Sequence, residues 1–304
     1  MATALIMLRQ IAIMALLVLV GIVLSRRGFL SEQGTKDLGA ILIRVIIPVV
    51  IVKSYITTYT QERVMQLGLS FLLALLTYVV AMLISWFVFG KRRRIENFAA
   101  AFCNAGFIGI PLAQALIGED GVFFVAASIA LLNLFQWTYG VYIMTDNRDA
   151  ISAKTILKNP VVIAIVIGMI LFLTQIPVPA LVVNTLGYIA GMNTPVAMIL
   201  LGTYMAKLPF KRLFLEKRAY LCVLFRLVVI PLVTLLIFKL IPVGDKTVML
   251  AIFLAAATPV GANICVFAQQ NNCDYELSVI TVCLSTLLSA ATVPLLVSAA
   301  QLFL

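Results

Sequence analysis

Apolar runs long enough to cross a lipid bilayer recur ten times along this chain, and that repetition limits its fold more than any single motif. The hydrocarbon core calls for about 17–25 residues of helix. Runs near that length lie at residues 5–25, 37–56, 67–89, 97–117, 121–143, 159–174, 181–206, 217–240, 246–268 and 275–301. None alternates apolar and polar residues as the strands of a membrane β-barrel do. A chain in lipid must satisfy its backbone within its own helices. The sequence therefore predicts an all-α integral membrane protein with ten transmembrane helices. Only 11% of its 304 residues are charged, against about 25% in a soluble domain.

The net charge of +10 does not indicate a nucleic-acid partner. The basic residues stand in short clusters between apolar runs, such as Lys91-Arg92-Arg93-Arg94. Of the 22 lysines and arginines, 15 fall in loops after odd-numbered spans, Lys207 among them. The positive-inside rule then puts those loops in the cytoplasm and both chain ends outside, in agreement with an even number of spans, which requires both ends on one side. The expected location is the cytoplasmic (inner) membrane. Gln10 to Leu24 is followed by Arg26 and Arg27 rather than a small-residue cleavage site, so it reads as the first membrane helix and not a signal peptide. The chain has no histidine, which removes the usual metal ligand and general base. Its cysteines, Cys103, Cys222, Cys265, Cys273 and Cys283, lack C-x-x-C spacing and read as small packing residues. Neither a metal site nor a cofactor is expected.

The polar stretch from Asp146 to Asn159 divides the chain into five spans and five. Residues 1–148 form the first half, 149–158 a central cytoplasmic loop, and 159–304 the second half. Five is odd, so the second half starts from the opposite side of the membrane. This is the plan of an inverted repeat.

The fourth and ninth spans are interrupted. The fourth contains Asn104-Ala105-Gly106-Phe107-Ile108-Gly109-Ile110-Pro111, and the ninth Ala257-Thr258-Pro259-Val260-Gly261-Ala262-Asn263. Proline removes an N–H and clashes with the preceding turn, and glycine leaves helical geometry cheaply. Freed backbone groups are tolerated at membrane depth only against protein or a wet cavity. Breaks at matching places in two halves point to a midplane substrate site. A half-helix N-terminus carries partial positive charge and free N–H donors, which suit a carboxylate. Asn104, Gly106, Gly109, Pro111, Thr258, Pro259, Gly261 and Asn263 are thus the candidate binding residues. Asn133 and Gln136 share a helix face, and Arg226 is a cation inside an apolar run. These three are candidates for lining the cavity. Arg44 is a weaker candidate of the same kind. Asn193 and Thr194 read as structural. No acid lies in the middle of an apolar run, so proton coupling through a buried carboxylate is not expected.

The segments Asn104–Leu112 (NAGFIGIPL), Ala257–Ala268 (ATPVGANICVFA) and Ser285–Leu288 make the chain resemble the auxin efflux carrier family, within the bile/arsenite/riboflavin transporter superfamily. The hydropathy outline extends the resemblance over almost the whole chain. It implies two inverted five-helix repeats, broken helices 4 and 9 crossing at the substrate site, and a homodimer. It also implies a scaffold of helices 1, 2, 6 and 7 against a moving unit of helices 3–5 and 8–10. Asn104, Pro111, Pro259 and Gly261 match the family's crossover residues. Where the plant carriers have a second proline in helix 9, this chain has Ile264, and its central loop is short. Both departures favour a bacterial-type permease for small organic anions such as malate-like carboxylates. The expected function is a secondary carrier working by alternating access, with potential-driven efflux. Sodium-coupled symport of an organic anion is the alternative, with backbone carbonyls and Asn/Thr oxygens at the breaks holding the ion. A non-transporting receptor ranks lower, because the loops leave little room for an output module. No enzyme motif such as H-E-x-x-H is present.

Overall fold

The computed structural model describes residues 2–206, 210–241 and 244–304; Lys207, counted above among the loop cations, lies outside them. Among the described residues every named element is helical. The principal helices are α1 (Ala2–Arg26), α2 (Glu32–Tyr55), α3 (Gln61–Phe89), α4 (Arg94–Ala101), α5 (Ala105–Leu116) and α6 (Glu119–Thr145). They continue with α7 (Pro160–Thr174), α8 (Ala180–Ala206), α9 (Lys217–Leu240), α10 (Lys246–Ala256), α11 (Asn263–Gln270) and α12 (Tyr275–Phe303). Seven of these, α1, α2, α3, α6, α8, α9 and α12, are long and apolar enough to cross a membrane. The protein is an integral membrane protein.

The fourth, sixth and ninth runs are shorter in the structure than a simple span. At 1.5 Å per residue, the eight residues of α4 and the eight of α11 each rise about 12 Å, well under the roughly 30 Å hydrocarbon core. The central polar stretch holds a short helix, Ala153–Leu157, capped by Ser152.

Helix starts carry side-chain caps. Ser31, Thr60, Asn159, Asp245 and Asp274 each accept a first-turn backbone N–H, satisfying donors that have no intrahelical partner. Among the described residues four π-helical turns interrupt the helices, at Leu42–Ile46, Ala105–Gly109, Gln136–Gly140 and Phe225–Val229. Three of them end two residues before a proline: Pro48, Pro111 and Pro231. A proline ring crowds the carbonyl four residues back and offers it no N–H. The wider turn absorbs that conflict and lets the helix continue.

Packing sorts the helices into two groups. α1 runs along α8, and α2 lies against α7 and α8. α3 lies against α4, α6 and α10, and α9 lies against α12. α1 and α8 cross in backbone contact. A Cβ on Gly21 would strike the Ile199 carbonyl, and one on Gly202 the Val18 carbonyl. Small residues permit such close crossings in lipid, where packing rather than water exclusion holds helices together. The groups meet where α2 faces α6 and α1 faces α5 and α12. Leu5, Leu8, Leu16 and Leu19 of α1 and Val166, Ile170 and Leu173 of α7 stay exposed, as acyl chains as solvent permit.

Candidate functional site

Among the described residues the backbone leaves helical geometry twice in the interior, and the two departures meet. Between α4 and α5 the chain is extended at Phe102, and between α10 and α11 it opens at residues 258–262. Cys103 and Val260 form an isolated antiparallel bridge. The Asn104 N–H donates to the Pro259 carbonyl at 2.8 Å, and the Gly261 N–H donates to the Phe102 carbonyl at 3.0 Å. A Cβ on Gly261 would come within 2.8 Å of the Cys103 oxygen, so the approach of the two strands requires glycine there.

Diverting those N–H groups leaves helix carbonyls without partners, and each is supplied from elsewhere. In a continuous helix the Ala100 carbonyl would take the Asn104 N–H, and the Ala256 carbonyl the Val260 N–H. Arg226 of α9, 1% exposed, donates to both: to Ala100 O at 3.2 Å and to Ala256 O. One guanidinium thus caps the negative ends of two half-helices. The Val260 N–H is taken by Ser285 Oγ at 3.1 Å. Pro259 has no N–H for Ala255, and the Thr258 hydroxyl donates to that carbonyl at 2.7 Å. The freed main-chain groups at the carbonyl side of both breaks are therefore largely satisfied within the protein.

The donor side differs. Asn104 caps α5 by accepting the Phe107 N–H at 3.3 Å. Its own Nδ2, buried, has no partner among the described residues. α11 starts at Ala262 and Asn263 with no side-chain cap. Asn263 Nδ2 donates to Gln136 Oε1 at 3.0 Å, and the buried Gln136 Nε2 is left without a partner. A cavity of about 30 Å³ lies here, lined by Asn104, Gly106, Asn133, Gly261 and Asn263, with Ile43 and Ile47 of α2 among its apolar walls. That volume holds about one water. The chemistry offered is a cluster of neutral N–H donors between two helix N-termini, which suits a negatively charged group.

The structure brings Asn104, Gly106, Gly261 and Asn263 onto one cavity, with Asn133 beside them. Gln136 reaches the site through Asn263. Asn133 is engaged, donating to Ile129 O and accepting from Asn159. Gly109 packs α5 against Thr258 and Ala255. Pro111 sits inside α5 beyond a π turn, so the fourth run breaks at 102–104 and not at its proline. Arg226 lies behind the crossing rather than lining the cavity, because the two carbonyls hold it there. Arg44 is exposed on α2. Asn193, read above as structural, donates to the Gly106 carbonyl at 3.4 Å. Glu96 was not legible from its place at the edge of an apolar run. It is 1% exposed, and Arg218 Nε donates to it at 2.8 Å. Burial comes from α9 packing over α4.

Broken, mutually paired helices inside a bundle of apolar spans are consistent with an integral membrane transporter. A family described as membrane transport protein (Mem_trans) matches the chain twice, over residues 6–156 and 147–297. A protein of Rhizobium meliloti (strain 1021) named "Putative malonate transporter" is 27% identical over 71% of this chain and 72% of its own length. A transporter of Methanothermobacter thermautotrophicus is 25% identical over 92% of this chain and 93% of its own. The Escherichia coli (strain K12) transporter YfdV is 24% identical over 94% and 95%. The chain belongs to this membrane transport family, the auxin efflux carrier family that its motifs resemble.

Proposed function

We propose that the protein is a secondary carrier for a small organic anion, a carboxylate, bound at the crossing of the two broken helices. The observation that carries this reading is the pair of buried, unpartnered amide donors, Asn104 Nδ2 and Gln136 Nε2, beside two helix starts. Leaving a buried donor unpaired costs about 1–3 kcal/mol. A carboxylate arriving there recovers that cost, whereas a cation would find donors facing it. The relative named for malonate supports the substrate class.

The cavity is too small for even a three-carbon diacid, so loading requires its walls to part. Ile43 and Ile47 belong to α2, while the other side belongs to α5 and α11. We assign α1, α2, α7 and α8 to a scaffold and the remaining helices to a moving unit, which gives alternating access. Ten crossings follow if α4–α5 and α10–α11 each count as one interrupted span. The double family match supports two repeats, 1–148 and 159–304, joined by the loop 149–158. The basic cluster Lys91–Arg94 then faces the cytoplasm, both chain ends lie outside, and the protein sits as a homodimer in the cytoplasmic membrane.

An inside-negative potential drives an anion outward with about 2.3 kcal/mol per charge per 100 mV, enough for efflux without a coupling ion. Sodium-coupled symport is the second reading. Flux of labelled malonate from proteoliposomes, with an imposed potential and with or without sodium, separates them. Efflux that accelerates with inside-negative potential in sodium-free buffer is expected. Flux indifferent to potential and strictly dependent on sodium refutes the uniport reading.

A further inference from the structure

A second, larger cavity of about 110 Å³ lies between α2, α5, α6 and α8. Its lining includes Lys53, Ile110, Gln114, Glu119, Asn193 and Thr194. Lys53 stands near the end of α2 and Glu119 opens α6, so the cavity lies toward the face opposite Lys91–Arg94. A carboxylate is already cradled there. Lys53 Nζ donates to Glu119 Oε1 at 3.2 Å, and Gln114 Nε2 donates to the same oxygen at 3.3 Å. The two donors come from the two helix groups, Lys53 from α2 and Gln114 from α5.

Asn193 connects this cavity to the crossing. It is buried, lines the larger cavity and donates to the carbonyl of Gly106, which lines the smaller one. Its Oδ1 has no partner among the described residues.

We propose that the larger cavity is a second carboxylate site, in which the transported anion takes the place of Glu119 on Lys53 and Gln114. This rests on the carrier reading above. The Glu119 side chain is 61% exposed, so water can receive it when it is displaced, and a solvated ion pair of this kind holds weakly. Displacement also removes a bond tying α2 to α6. The arriving anion bridges the two groups in its turn, through Lys53 and Gln114, and that tie is lost when it moves on to the crossing. Asn193 is the partition the anion passes on its way to Asn104.

The test measures malonate transport in right-side-out and inside-out membrane vesicles. Lys53→Gln should raise KM about tenfold, the loss of one charge-assisted bond, in one vesicle orientation only. Lys53→Arg should recover most of it. Glu119→Gln should lower KM several-fold in that same orientation, since a neutral amide competes poorly for the ammonium. Equal KM changes in both orientations, or none, overturn the proposal. If Lys53→Gln fails to reach the membrane, Glu119→Gln decides alone, and an unchanged KM overturns it. A wild type that moves no carboxylate in either orientation refutes the carrier reading and this site with it.

Discussion

Replacing Arg226 separates its charge from its geometry. The guanidinium reaches Ala100 O and Ala256 O together, which its forked donors permit and a single ammonium does not. Arg226→Lys keeps the cost of burying a cation and loses at least one charge-assisted bond, about 1.5–3 kcal/mol. That figure includes the helix carbonyl left without a partner. The expected destabilisation is therefore about 1.5–3 kcal/mol. Arg226→Met loses both bonds, about 3–6 kcal/mol on the same count, but recovers the several kcal/mol of desolvation that a buried cation costs. The net loss for Met is smaller than for Lys. Thermal unfolding in detergent at one fixed scan rate, which suits membrane proteins that unfold irreversibly, should rank wild type first, Met second and Lys last. Both variants should transport slowly, since the half-helix ends lose their common anchor. A lysine variant more stable than the methionine variant shows that charge alone matters at this position. A methionine variant with normal flux removes the clamp from the mechanism.

Other substitutions probe the crossing itself. Gly261→Ala places a methyl 2.8 Å from the Cys103 oxygen, and should cost about 1–3 kcal/mol and reduce transport more than expression; full activity argues against the tight antiparallel pairing. Ser285→Ala leaves the Val260 N–H unpaired and should lower stability by about 1–3 kcal/mol, read from the same unfolding assay. Pro259→Ala restores an N–H for the Ala255 carbonyl, in competition with Thr258, and should straighten the α10–α11 junction and slow flux. An unchanged rate would show that Gly261 alone sets the break.

The ninth run declared itself in sequence because Pro259 and Gly261 act locally, by removing a donor and a side chain. The fourth run misled by the same logic. Pro111 and Gly109 mark a π turn, while the break falls at Phe102–Asn104, where no residue type forbids a helix. That segment is extended because Pro259 and Gly261 bond to it, and a partner some 155 residues away leaves no local trace. Arg226 was visible as a cation in an apolar run, but its partners exist only once both helices are broken. Gln136 and Asn263 were each legible as polar residues; their hydrogen bond depends on how α6 meets α11. Glu96 was hidden because its burial is supplied by α9. The apolar spans needed only length and composition.

Calorimetric titration of purified protein with malonate, comparing wild type with Asn104→Ala and Gln136→Leu, bears most directly on the donor cluster. Saturable binding to the wild type that weakens at least tenfold in each variant, with folding intact, is the predicted result. Equal affinity in all three proteins would mean that the amides beside the paired strands are packing, and that the anion binds elsewhere.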